Sequence, residues 1–135
     1  MTDSPHQFLH PSHWKPAIGY ASGVAASGRM VFTGGLIGWN AQQEFETDDF
    51  VGQVEQVLKS IVEVLACAGA RPEHLVRLTW YVTDKRDYLS NLKEIGRAYK
   101  ATIGRHYPAM ALVQVAALVE DRAKVEIEAT AVIPA

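Results

Sequence analysis

The sequence predicts a single α+β domain with the element order ββαβαββ and two helices on one face of a sheet. Two segments repeat apolar residues at helical spacing, and the other apolar segments are short or alternate as strands do. At 135 residues the chain has the length of one domain with a sizeable core. Two helices cover only one face of such a sheet, so the other face must meet solvent or another chain.

The N-terminal part is predicted to be an irregular arm over residues 1–17, because it is interrupted by prolines. Residues 18–135 then form the domain. The segments GYASGVAA and RMVFTGG are separated by Ser27 and Gly28, which predicts a β-hairpin. A glycine-containing loop follows this hairpin.

The first helix is expected after Thr47. This threonine is the predicted N-cap, and Asp48 and Asp49 are favourably placed in the first turn. Gly69 and Pro72 are expected to end the helix. Its apolar stripe comprises Phe50, Val54, Val57, Leu58, Ile61 and Leu65.

The stretch LVRLTWYVT alternates apolar and polar residues and predicts the clearest strand of the chain. A second helix follows, with apolar residues in helical register and Gly104 at its C-terminal end. The segments AMALVQVAAL and KVEIEATAVI predict the last two strands. The apolar sets are Val76, Leu78, Trp80 and Val82 in the first of these strands, and Leu92, Ile95, Tyr99 and Ile103 in the helix.

The segment AMALVQVAAL is apolar on both faces. Met110, Leu112 and Gln114 alternate there with Ala111 and Val113, and no charged residue interrupts them. A strand of this kind is expected to be covered on both sides. Since no segment of the chain remains to cover the second side, another copy of the same chain is the expected partner.

Composition excludes several classes of protein. A formal net charge of −2 argues against a nucleic-acid partner. Neither a secretory signal nor an apolar segment of membrane-spanning length is visible. The single cysteine, Cys67, is expected to be a small core residue and predicts a cytoplasmic location. The five histidines form no metal-binding motif, so no metal is expected.

Two carboxylates on the last predicted strand are candidates for chemistry. Glu126 and Glu128 share one face, opposite the apolar side chains that pack beneath the helices. A carboxylate in a partly desolvated cleft has a raised pKa and acts as a general acid or base. The alternative is that both glutamates are solvated or form salt bridges with Arg77 or Lys124. Spacing alone leaves both interpretations open.

The loop TGGLIG, which begins at Thr33, lets backbone amides approach a ligand closely. It lacks the Lys-Ser/Thr pair of a phosphate-binding loop. A plain turn at the end of a strand is the alternative. Trp39 follows this loop and is the aromatic residue best placed to reach a ligand.

Several segments together resemble the YjgF/RidA family of reactive intermediate deaminases. They are GYASGVAASGRMVFTGGLIG, LACAGA, YVTD and YPAMALVQVAALVEDRAKVEIEATA, in the family's order. The resemblance implies a chorismate-mutase-like α+β fold and a homotrimer with clefts between subunits. It also implies hydrolysis of enamines or imines, such as 2-aminoacrylate, to a keto acid and ammonia without any cofactor.

The resemblance also implies roles by position. Glu126 falls on the glutamate that positions the attacking water, and Tyr20 falls on a tyrosine that lines the cleft. Met110 occupies the place of the arginine that grips the substrate carboxylate, and Leu112 a place where cysteine is frequent. The predicted catalytic residues are Glu126 and Tyr20; the predicted substrate-binding residues are Met110, Leu112, Gln114, Thr33, Gly34, Gly35, Trp39 and Lys93.

The substitution at Met110 redirects the expected function. Methionine cannot pair with a carboxylate, and loss of a buried charge-assisted pair costs about 2–5 kcal/mol. The sequence therefore predicts a small-molecule hydrolase for imines or enamines other than the usual small 2-imino acid, with Lys93, Arg105 or His106 as more distant sources of positive charge. One alternative is a non-catalytic binding or stress-protective trimer. Endoribonuclease activity, which is ascribed to some relatives, ranks last because no basic patch is visible.

Overall fold

The computed structural model describes residues 4–135. Their order along the chain is four strands, a long helix, a strand, two helices and two strands. The strands are β1 Gln7–Leu9, β2 Gly23–Ala25, β3 Gly28–Phe32, β4 Leu36–Ile37, β5 Leu75–Val82, β6 Ala109–Gln114 and β7 Val125–Pro134. The helices are α1 Phe50–Cys67, α2 Lys85–Leu89 and α3 Leu92–Thr102, with a single 3₁₀ turn over Pro72–His74.

Five of the strands form the main sheet in the order β3-β7-β5-β6, with β4 also paired to β7. Strands β5 and β6 are parallel, whereas β7 runs antiparallel to β3, β4 and β5. Strand β7 is therefore central, and β6 lies near one edge. The predicted α+β class with helices on one face of a sheet is confirmed.

The core lies between this sheet and the two longer helices, α1 and α3. Trp80, Leu78 and Val82 of β5 and Ile127 of β7 are buried at its centre. They alternate with more exposed residues along each strand, as a sheet with one covered face requires. None of the helices within residues 4–135 is both long enough and apolar enough to span a membrane.

The predicted hairpin between β2 and β3 is wrong. Strand β3 pairs along its whole length with β7, starting with Gly28 opposite Pro134. Gly28 has a φ of 145°, and a side chain there would overlap the carbonyl of Ile133. The glycine is thus explained by its close approach to β7, and not by a turn of a hairpin.

The arm predicted to be irregular contains a strand, which is a second correction. Strand β1 pairs antiparallel with β2 in a separate small sheet. Phe8 of β1 packs against the ring of His106, with 5.8 Å between ring centroids. Ala21 forms a parallel bridge with Ala109, so the segment before β2 runs beside β6. These contacts hold the arm against the domain.

Smaller corrections concern the ends of elements. Asp49 and not Thr47 is the N-cap of α1, because its carboxylate accepts the Gly52 N–H at 2.9 Å. The helix ends as predicted before Gly69, which has a φ of 77°. Cys67 is exposed and is not a core residue. Helix α2 was not predicted, and β6 is shorter than predicted.

Candidate functional site

The sheet carries the two principal candidate residues on opposite faces. Glu126 lies opposite Tyr81 in the β7–β5 register, on the face that no helix covers. Met110 lies opposite Leu78 in the β5–β6 register, and its side chain packs against the core. Residues that are paired across strands share a face. Within one chain, Glu126 and Met110 therefore cannot contact the same small ligand.

The Glu126 carboxylate lies directly against the glycine loop. A Cβ atom built on Gly35 would lie 2.9 Å from Glu126 Cδ, so any side chain at position 35 would displace the carboxylate. Thr33 fixes the start of the loop to β7, because its hydroxyl donates to Gly34 O at 2.8 Å and accepts the Ala129 N–H at 2.9 Å. The loop is thus hydrogen-bonded to the last strand beside Glu126.

The neighbouring carboxylate, Glu128, is engaged differently. It accepts a hydrogen bond from the Tyr81 hydroxyl at 2.9 Å, and this bond raises the pKa of the Tyr81 phenol. Among residues 4–135, neither glutamate takes part in a salt bridge with Arg77 or Lys124. Glu126 is half-buried and turned toward the open face, whereas Glu128 is exposed and bonded to a tyrosine.

A cavity of about 310 Å³ lies on the other side of the sheet, beside Met110. We call it the Met110 cavity. Aromatic and aliphatic residues of β5, α2 and α3 line it, together with Tyr107 and the two residues before Tyr20. The Tyr99 and Tyr107 rings stack at 5.3 Å with an interplanar angle of 12°. The lining residues are Ile18, Gly19, Trp80, Tyr88, Leu92, Ile95, Gly96, Tyr99, Tyr107 and Met110.

Tyr20 lies next to this cavity and not in it. It lines a second depression of about 350 Å³, formed with the N-terminal arm and β1. Gly19 and Tyr107 border both spaces, so the two are adjacent. Tyr20 is 45% exposed. The structure therefore brings Tyr20 near Met110 but not near Glu126 of the same chain.

Other predicted binding residues are placed elsewhere in the chain. The Gln114 side chain accepts the Lys85 N–H at 2.9 Å and so holds the start of α2. Trp39 packs against Phe45 at 5.9 Å between centroids and lines a depression along α1. Leu112 packs against the core, and Lys93 is exposed on α3 outside the Met110 cavity. Their predicted roles in binding remain predictions.

The sources of positive charge proposed from the sequence differ in their surroundings. His106 is buried, and its Nε2 donates to the Leu75 carbonyl oxygen at 2.7 Å. Burial lowers the pKa of His106, which favours the neutral ring. Arg105 is exposed and, like Lys93, is absent from the cavity lining. The Met110 cavity thus has no charged residue in its wall.

Most of this lining is not evident from the sequence. The spacing of Trp80, Ile95 and Tyr99 predicts core positions, which is correct, but spacing does not reveal that these residues border a cavity. Tyr107, directly before the Pro-Ala pair, was not singled out.

Among residues 4–135, no three His, Cys, Asp or Glu side chains are grouped as metal ligands.

Comparison with known proteins decides the family. The family model described as Endoribonuclease L-PSP matches residues 11–133. The chain belongs to the YjgF/RidA (Rid) family. Rid relatives include the protein DfrA of Myxococcus xanthus, 36% identical over 92% of this chain and 93% of that protein. Another is the 2-iminobutanoate/2-iminopropanoate deaminase of Salmonella typhimurium, 33% identical over 86% of this chain and 89% of the relative.

Solved structures of Rid proteins agree with this fold. A member of the conserved Rid family from Yersinia pestis, YyfB, has a TM-score of 0.84 and 32% identity, over 95% of this chain and 98% of the other. A further member, Rv2704 from Mycobacterium tuberculosis, has a TM-score of 0.63 at 32% identity, over 86% of this chain and 88% of the other. The Rid fold is therefore continuous over nearly the whole chain.

Proposed function

We propose that this Rid protein is a cytoplasmic homotrimer that hydrolyses an imine or enamine in clefts between its subunits. Its substrate differs from the usual small 2-imino acid. The observation that carries the proposal is the arrangement of Glu126, held against the glycine loop on one face, and the uncharged Met110 cavity on the opposite face. The deaminase names of relatives at 33% identity support the type of chemistry.

The opposite faces are the reason to place the site between subunits. A site that needs both Glu126 and the Met110 cavity requires that the open face of one chain meets the cavity of another. The open face is suited to self-association, because Met30, Phe32 and Val113 are 59%, 64% and 46% exposed there. Burial of such apolar residues stabilises a closed oligomer.

The proposed reaction needs only water and a carboxylate. Glu126 accepts a proton from a water molecule as the water oxygen bonds to the carbon of the C=N group, and the π electrons move to nitrogen. The proton then passes from Glu126 to the nitrogen of the tetrahedral adduct. Glu126 then transfers the proton of the new hydroxyl group to the nitrogen, and the C–N bond breaks to release ammonia and leave a carbonyl product. An enamine first takes up a proton at carbon to give the imine.

The uncharged Met110 cavity also supports one alternative, a trimer that binds small molecules without turning them over. Ribonuclease activity is not proposed. The two buried histidines, His74 and His106, are each bonded to main-chain groups, and burial lowers the pKa of both.

Replacement of Met110 by arginine tests the proposal. We expect the wild-type protein to release ammonia from a neutral imine and to act poorly on a freshly generated 2-imino acid. The Met110→Arg variant should improve hydrolysis of the 2-imino acid by tens to thousands of fold, since a restored ion pair is worth about 2–5 kcal/mol. Ammonia release measured with both substrates checks this.

Val119→Arg is the matched control, because it adds the same charge at a residue that is 95% exposed. It should leave both rates unchanged. If neither the wild type nor Met110→Arg releases ammonia from either substrate, hydrolysis is excluded and the binding alternative replaces it.

A further inference from the structure

Trp80 lines the Met110 cavity and carries a buried polar atom without a partner among the described residues. Trp80 is 2% exposed, and its indole Nε1 makes no hydrogen bond to any of residues 4–135. A buried donor left unsatisfied costs about 1–3 kcal/mol. Tryptophan is therefore an expensive choice here for packing alone, since phenylalanine fills space without the penalty.

The rest of the wall is apolar or neutral. Ile95 and Leu92 of α3 and Met110 of β6 supply aliphatic and thioether surface. Tyr88 meets Trp80 edge to face, with 6.0 Å between centroids and an interplanar angle of 76°. The Tyr99 hydroxyl already donates to the His106 carbonyl. The wall contains no acidic or basic side chain, and burial raises the pKa of the Tyr88 and Tyr99 phenols further above neutral pH.

This wall discriminates against charged ligands. An anion that enters loses its hydration and finds no cation in exchange, a cost of several kcal/mol. An aromatic ring instead gains contact with several ring faces and edges. At about 310 Å³, the cavity lies at the lower end of the range of small-molecule sites, roughly 300–1,000 Å³. One or two rings fit such a space.

We propose that the Met110 cavity binds an uncharged aromatic molecule whose hydrogen-bond acceptor pairs with the Trp80 indole N–H. In the proposed reaction, an uncharged aromatic group of this kind is the part of the substrate that determines specificity. This assignment rests on the proposed function. The binding itself does not depend on turnover. Trp80 is then a specificity-determining residue, and Met110 gives apolar contact where an arginine would impose a charge.

Benzamide and benzoate are suitable probes, because they share a shape and differ in charge. The chain has three tryptophans, so its indole N–H groups give three NMR resonances, assigned by Trp→Phe variants. We expect benzamide to shift the Trp80 resonance and to bind at least about tenfold more tightly than benzoate. Trp80→Phe should weaken benzamide binding about tenfold, whereas Trp14→Phe, at an exposed residue outside the cavity lining, should leave it unchanged.

Gly96→Leu provides a second variant that does not remove a core side chain. A Cβ at Gly96 meets no atom within 4 Å, and the residue lines the cavity, so leucine there should fill it and abolish benzamide binding. Equal or tighter binding of benzoate, or saturation with benzamide without a Trp80 shift, overturns the inference. Benzamide binding without ammonia release from any imine supports the inference and contradicts the proposed function. Imine hydrolysis without a preference for benzamide over benzoate supports the proposed function and contradicts the inference.

Discussion

Replacing Glu126 with glutamine is expected to lower turnover by about 10²–10⁴-fold. The amide keeps the size and the position against Gly35 but cannot accept the proton of the attacking water. Because Glu126 acts on water and not on the ring that the cavity holds, ligand affinity should change little. Single-turnover ammonia release, together with benzamide binding to the same variant, separates the two effects.

Glu128→Gln is the matched control for this variant. It removes the same charge from the same face of β7, two residues away, at a side chain that bonds to Tyr81. Turnover of this variant should stay close to that of the wild type. Equal loss of turnover in both variants would point to a general effect of charge on this face, and the role of Glu126 would be withdrawn.

Gln53→Leu is expected to lower the free energy of unfolding by about 2–4 kcal/mol. Gln53 is fully buried in α1, and its amide donates to the carbonyls of Thr47 and Arg122 at 3.2 and 3.0 Å. Its oxygen accepts the Lys124 N–H at 2.8 Å. Leucine would leave these main-chain groups without their partner, and two of them, at Arg122 and Lys124, lie just before β7, the strand that carries Glu126. Urea denaturation at one fixed protein concentration measures the loss.

Gln56→Leu, one turn away on the same helix, is the control. Among residues 4–135, its amide donates only to the Ser60 hydroxyl at 3.2 Å, on the same helix. This variant should change the free energy of unfolding by less than about 1 kcal/mol. Similar losses for both variants would mean that helix propensity or solvation, and not the bonds to the segment before β7, determines the effect.

Long periodic segments could be predicted from the sequence because their pattern is local. The apolar stripe from Phe50 to Leu65 and the alternation in β5 both result from burial on one face. This one-sided burial is visible in the residue pattern of each segment by itself. The partner with which a strand pairs, in contrast, cannot be predicted from the residues of that strand alone. Ser27 and Gly28 are typical of a hairpin turn, yet Gly28 is required by the backbone of β7, more than a hundred residues later. Such pairing emerges only in the folded chain.

The candidate site was predictable to a different degree at each residue. Glu126 and the glycine loop follow from the family motifs, and the contact between Gly35 and the Glu126 carboxylate gives those positions a physical reason. The Met110 cavity was not predictable in shape, because whether core residues leave a void depends on how α3 and β5 pack together. Gln53 was missed for a related reason: a polar residue in a helix predicts exposure unless its distant partners are known.

The separation of Glu126 and Met110 on opposite faces also lies beyond local patterns. Both lie on strands that the sequence predicts, and the motifs suggest one shared site. Only the register of β5 with β6 and β7 shows that one chain cannot build that site alone. The central claim is therefore that the working cleft combines Glu126 of one subunit with the Met110 cavity of another.

Subunit mixing tests this claim most directly. Glu126→Gln and Gly96→Leu chains, each inactive alone, would be co-expressed in equal amounts, and ammonia release would be measured on the mixed oligomers. If the two parts come from different subunits, random assembly restores both in about a quarter of the clefts, so about a quarter of wild-type activity is expected. Activity no higher than that of either variant alone, with mixed oligomers verified by native mass spectrometry, would contradict the claim.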